Sequence, residues 1–169
     1  MKFLSLINSP VRILLATVFL IAPATLELTA SPQSAPNIGV NASLSANKAR
    51  RGRSVQGSVT MDIPSGYHVN SRRPLEKFLI PTELKVEAPK GFRVGPVTYP
   101  RAVLRNFKFS KNRVSVYEGR ATMRFNVTVP RNAPTGSTEI KLRLRFQSCN
   151  DELCFPPQTR ELKLWLNVE

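Results

Sequence analysis

Apolar residues fall on every second position in four separate runs, and that period fits a β-strand with one buried face rather than a helix. The runs are Val55, Val59, Met61 and Ile63; Met123, Phe125, Val127 and Val129; Ile140, Leu142, Leu144 and Phe146; and Leu162, Leu164, Leu166 and Val168. Polar or charged residues mostly fill the positions between them. The first two runs end at Pro64 and Pro130, a residue type that cannot donate to a sheet ladder. Weaker strand candidates are residues 39–46, 67–70, 82–88, 92–98 and 114–118, separated by stretches rich in Pro, Gly, Ser and Asn. No window carries a helical stripe. About eight or nine short strands with regular turn signals predict an all-β fold, an immunoglobulin-like antiparallel β-sandwich. Phe125, Phe146 and Trp165 are its expected large core side chains,.

Residues 1–30 have the pattern of an export signal, because Lys2 and Arg12 precede the apolar run at 13–21 and small residues follow it,. Cleavage after Ala24 and cleavage after Ala30 both fit. The run is too short to span a bilayer. Residues 31–37 form an expected flexible leader, and residues 38–169 an expected single domain,. An exported chain meets an oxidising compartment, where its 2 cysteines can form and keep a disulfide,. Cys149 and Cys154 either pair with each other or stay reduced.

The cysteines bracket a short polar loop, Asn150-Asp151-Glu152-Leu153, between two strand candidates. A turn there brings the two Cα atoms within disulfide reach. Closing so short a loop is worth only about 2 kcal/mol in the chain-entropy model. The segment therefore reads equally as a small staple or as an exchangeable bond. Phe155-Pro156-Pro157 restricts the backbone after Cys154 and predicts Cys149 to be the freer of the pair,. His68 is the only histidine; nothing near it resembles a metal-ligand set or a hydrolytic triad. No metal or cofactor is expected. The formal charge is +14, with Lys141, Arg143 and Arg145, and Arg120 and Arg124, at alternate strand positions. That pattern reads as a solvated face or as one suited to an anionic envelope surface. Nucleic acid is not an expected partner of an exported chain.

The segment QSCNDELCFPPQT, residues 147–159, resembles the cysteine segment of the N-terminal periplasmic domain of the thiol:disulfide interchange protein DsbD. Upstream blocks fall in that family's order: IPSGYHVNS at 63–71, FLIPT at 78–82, VTYP at 97–100 and VYEG at 116–119. Together they cover residues 55–168. The resemblance implies an immunoglobulin-like periplasmic domain whose Cys149 and Cys154 take electrons from a thioredoxin-like or membrane-embedded donor. They pass them to oxidised periplasmic acceptors through mixed disulfides. It also implies an aromatic cap over the pair, at Phe107 or Phe109 in the loop 105–112, and places Tyr67 and His68 where they tune access. The cap loop here is basic where the family leads one to expect acidic residues. The chain ends at Glu169 with neither the family's membrane domain nor its thioredoxin domain, so a stand-alone exported domain with a separate donor is the expectation. The competing reading is an immunoglobulin-like envelope binding module with an inert disulfide and a basic binding face.

Overall fold

The computed structural model describes residues 34–169; the expected export signal lies outside the described residues. Residues 34–38 carry no regular structure. Twelve strands follow: β1 (Gly39–Leu44), β2 (Lys48–Ala49), β3 (Ser54–Asp62), β4 (His68–Asn70), β5 (Glu83–Glu87), β6 (Arg93–Val94), β7 (Val103–Arg105), β8 (Val114–Tyr117), β9 (Arg120–Thr128), β10 (Gly136–Phe146), β11 (Ser148–Cys149) and β12 (Gln158–Val168). Nine of them span three residues or more. No helix occurs among the described residues.

The strands form three sheets, in the orders β1-β3-β9-β6, β2-β12-β10-β5 and β11-β4-β8-β7. All pairings are antiparallel except that of β2 with β12. The first two sheets enclose one core, as the alternation requires. Val55, Val59 and Met61 of β3 and Met123, Phe125 and Val127 of β9 share it with Ile140, Leu142, Leu144 and Phe146 of β10 and Leu164, Leu166 and Val168 of β12. The architecture is an immunoglobulin-like sandwich with a third, small sheet at one end.

Trp165 departs from expectation. It is 57% exposed, because the period that buries Leu164, Leu166 and Val168 turns Trp165 outward beside Lys163 and Asn167,. Phe125 and Phe146 are buried. Phe125 also explains a glycine. Gly57 stands opposite it in the β3–β9 ladder, and any Cβ at Gly57 would overlap the Phe125 ring.

The third sheet has a different physical character. Its strands β4 and β8 are buried along their whole length, because Tyr117 packs into the main core while Val114 and Val116 pack into a second cluster with Leu79. Phe107, Phe109 and Cys154 lie against that second cluster. Two of its inward hydroxyls are paired, as buried polar atoms generally are: Ser71 and Ser115 join at 2.9 Å.

Replacing Gly57 with Ala is expected to cost about 1–3 kcal/mol through overpacking against Phe125. Urea unfolding monitors it; a Phe125→Leu background, which opens space at that spot, is expected to lessen the cost.

Candidate active site

The cysteine segment is an excursion from the core sheet. β10 ends at Phe146 and β12 begins at Gln158 as its antiparallel partner; between them the chain crosses to the third sheet. Gln147 anchors the crossing. Its Oε1 accepts hydrogen bonds from Asn70 Nδ2 and from the Ile80 backbone N–H, both at 3.0 Å. Its Nε2 donates to the Phe155 carbonyl at 3.1 Å. Asn70 Nδ2 also donates to the Ile80 carbonyl at 3.1 Å. These two amides tie the entry and the exit of the excursion to the loop at residue 80.

Beyond Gln147, β11 pairs with β4 so that Cys149 stands opposite His68 and Ser148 opposite Val69. The chain then reverses over Asn150–Leu153. Asn150 Oδ1 accepts from the N–H groups of Glu152 and Leu153, each at 2.9 Å, a turn-forming use of a short amide side chain. The Asn150 N–H donates to the Leu153 carbonyl and the Phe155 N–H to the Ser148 carbonyl, also at 2.9 Å. Cys149 and Cys154 face each other across this turn as a β-bridge and are joined as a disulfide, Cα to Cα 3.9 Å.

The two sulfur-bearing residues differ in exposure. Cys149 is 0% exposed, whereas Cys154 is half-buried. Exposure thus ranks the pair opposite to the expected order of freedom, with Cys149 buried in the ladder to β4.

Aromatic rings gather on the histidine that stands opposite Cys149. The Phe107 ring stacks on His68 at 3.9 Å between centroids. Phe109 lies 5.3 Å from Phe107 and nearly parallel to it, and 6.1 Å from His68. Tyr67 packs on Phe155 at 6.2 Å, on the flank of the hairpin rather than in the stack. All six residues singled out from the sequence thus meet at one end of the sandwich. The basic loop that carries the rings meets acidic residues in the cysteine turn. The Lys108 N–H donates to the Asp151 carbonyl at 3.0 Å, and Lys108 Nζ reaches Glu152 at 3.3 Å.

Burial pushes the His68 pKa down to about 4, with Glu118 and Asp151 pulling weakly the other way. The imidazole is therefore neutral at pH 7. Its Nε2, together with Asn70 Oδ1 and Ser148 Oγ, finds no hydrogen-bond partner within the protein. All three atoms belong to the two strands that hold Cys149. Sequence reasoning missed Gln147, Asn70 and Ser148; an amide in an apolar strand setting, as at Asn70, is the only signal available.

Fold and site together define an all-β, immunoglobulin-like domain that carries one short-range disulfide at the end of the sandwich where His68, Phe107 and Phe109 stack. The family described as "Thiol:disulfide interchange protein DsbD, N-terminal" matches residues 40–165, and the chain belongs to that family. At family level the chemistry is thiol–disulfide interchange. Among solved structures, the N-terminal domain of Neisseria meningitidis DsbD in its reduced form is 21% identical with a TM-score of 0.48, covering 76% of this chain and 85% of that one. The N-terminal periplasmic domain of ScsB from Proteus mirabilis is 11% identical with a TM-score of 0.52. That alignment covers 77% of this chain but only 46% of the other, and the likeness is one of fold. No curated protein matches the sequence.

The His68 shift fixes a pH dependence. Between pH 6.5 and about 4 the unfolded chain binds a proton that the folded chain refuses. Stability is therefore full above that window and falls as the pH is lowered through it. Urea unfolding at pH 7 and pH 4.5 is expected to show a larger loss for the wild type than for His68→Gln; equal losses would contradict a neutral buried imidazole.

Proposed function

We propose that this protein is a periplasmic thiol–disulfide interchange domain, exported by residues 1–30 and folded over residues 38–169. Cys149 and Cys154 cycle between disulfide and dithiol. Electrons arrive from a thioredoxin-like or membrane-embedded dithiol donor and leave to oxidised envelope proteins. The observation that carries this reading is the unequal exposure of the pair, with Cys154 half-open and Cys149 buried beside His68.

The exposed sulfur is the one a partner reaches. A donor thiolate attacks Cys154 Sγ, a mixed disulfide forms there, and the bond to Cys149 breaks. Cys149 leaves as a thiolate and takes up a proton, balancing the proton the donor thiol released on ionising. A second donor thiolate then displaces Cys154, leaving the domain dithiol and the donor disulfide. The reverse sequence reduces an acceptor. Phe107 and Phe109 act as the cap that limits access, and His68 holds Phe107 by stacking. Leu153, 38% exposed, and Phe78, 60% exposed, offer apolar rim on which a partner protein can settle,.

Reduction potential is the deciding measurement. Titration against glutathione with alkylation of free thiols is expected to place the bond above about −300 mV, in the labile range. Cys149→Ser is expected to trap mixed disulfides through Cys154, and Cys154→Ser to trap few. Phe107→Ala is expected to speed reduction by a small dithiol several-fold without moving the urea midpoint by more than the packing loss. A bond that yields only on unfolding would instead leave the protein as an envelope binding module with an inert bridge.

A further inference from the structure

The cations lie unevenly over the surface. On the faces of the main sheets, where the sequence pattern pointed, several are compensated, while Lys85, Arg124, Arg145 and Arg160 join no ion pair among the described residues. Lys141 and Lys163 both reach Glu139, Arg143 stands opposite Glu161, and Arg120 pairs with Asp62 at 2.8 Å. Exposed cations without an ion pair occur elsewhere too, Arg73, Lys77, Lys111 and Arg113 among them, but at the end of the sandwich remote from the disulfide six gather in adjoining segments. Arg50, Arg51 and Arg53 in the loop before β3, Lys90 in the loop after β5, Arg93 on β6 and Arg131 in the loop after β9 are all exposed. Among the described residues none of the six joins an ion pair.

These loops form one surface. The Gly52 N–H donates to the Val129 carbonyl at 2.9 Å and the Val129 N–H to the Arg53 carbonyl at 2.9 Å. Arg51 Nε donates to the Ala133 carbonyl at 2.6 Å. A Cβ at Gly52 would lie 3.5 Å from the Arg131 side chain, and one at Gly91 would lie 3.5 Å from Pro130. Arg93 and Ser54 flank Thr128 on either side in the first sheet. β10 runs the length of the sandwich, from Gly136 near this end to Phe146 at the disulfide end. At about 3.4 Å per residue that separates the two ends by roughly 35 Å.

We propose that this cationic end docks on an anionic lipid bilayer. A protein partner is expected to meet an apolar centre rimmed by charge, and this end presents none. The exposed Leu75, Phe78, Leu104 and Leu153 belong to the third sheet and its loops, at the disulfide end. A small anionic ligand needs a cradle, whereas these side chains spread over three separate loops. A bilayer surface of anionic headgroups needs only the charge. Trp165 is exposed on the adjoining flank, three residues before Val168, the last residue of β12, with Lys48 on the neighbouring strand. An indole at that height fits the headgroup layer. So docked, the domain holds its disulfide away from the membrane and toward soluble partners. The proposal does not depend on the redox reading.

The test is co-sedimentation of the full chain with phosphatidylcholine vesicles, with and without phosphatidylglycerol. The apolar segment 13–21 is common to every sample, so its contribution cancels between variants. Arg50→Gln/Arg53→Gln/Arg131→Gln is expected to lower partitioning onto the anionic vesicles about 100-fold, as the per-residue effect of basic side chains near such a surface implies. Lys141→Gln/Arg143→Gln/Lys163→Gln, an equal change in net charge on the sheet face, is expected to leave it within a few-fold. Fluorescence of Trp165, the 1 tryptophan in the chain, is expected to shift to the blue on anionic vesicles only. Equal losses in the two triple variants, or no preference for phosphatidylglycerol, would overturn the proposal. So would binding to soluble polyglutamate as tight as binding to vesicles and equally sensitive to the loop triple, which would make an acidic protein the partner.

Discussion

The disulfide end depends on the crossing of one strand from the core sheet to the third sheet at Gln147. Without that residue β10 and β12 make an ordinary hairpin, since their ladder closes with Phe146 opposite Gln158, and the eleven intervening residues would be a solvated loop. The Gln147 amide satisfies the Ile80 N–H, the Asn70 side chain and the Phe155 carbonyl together. It thereby draws the excursion inward until Ser148 and Cys149 pair with β4. Removing one partner of such a network leaves others buried and unpaired, at about 1–3 kcal/mol each. The position of Cys149 beside His68 is therefore a consequence of side-chain amide bonding several residues away.

Two environments meet at the bond as a result. Cys149 shares β4 and β11 with polar atoms that no protein group satisfies, in surroundings dry enough to keep His68 neutral. Cys154, like Phe107 and Phe109, packs against the Leu79, Val114 and Val116 cluster. The loop that carries the rings is held to the cysteine turn by the backbone hydrogen bond from Lys108 to Asp151 and by the exposed ion pair of Lys108 with Glu152, and exposed ion pairs are worth little each. The basic loop fits here because the cysteine turn it meets is acidic.

Legibility followed from how many faces of each strand are buried. β3, β9, β10 and β12 bury one face each, so their period of two is visible in the sequence. β4 and β8 are buried on both faces and show no alternation, so they read only as weak candidates. The two-residue strands β2 and β11 are shorter than any pattern. Trp165 was legible and misread: its odd position in the β12 alternation placed it outward, and its size argued the wrong way. The meeting of Tyr67, His68, Phe107 and Phe109 with the cysteines came from family resemblance, because no local signal links residues about 40 to 80 positions apart in sequence,. Gln147 had no signal at all, since an amide after a strand reads as a loop residue.

The worth of the disulfide to the fold is the last step. A bridge stabilises chiefly by removing conformations from the unfolded chain, and a loop this short gives it only about 2 kcal/mol. In the folded state the same turn is already closed by the Asn150 and Phe155 hydrogen bonds and by the β4 pairing. The sandwich core, drawn from β3, β9, β10 and β12, lies elsewhere and does not use the sulfurs to close. Opening the bond thus leaves both the hairpin and the core their own means of support. A disulfide so placed is free to be spent and restored by exchange, which a bridge between distant strands, holding the two sheets together, would not be.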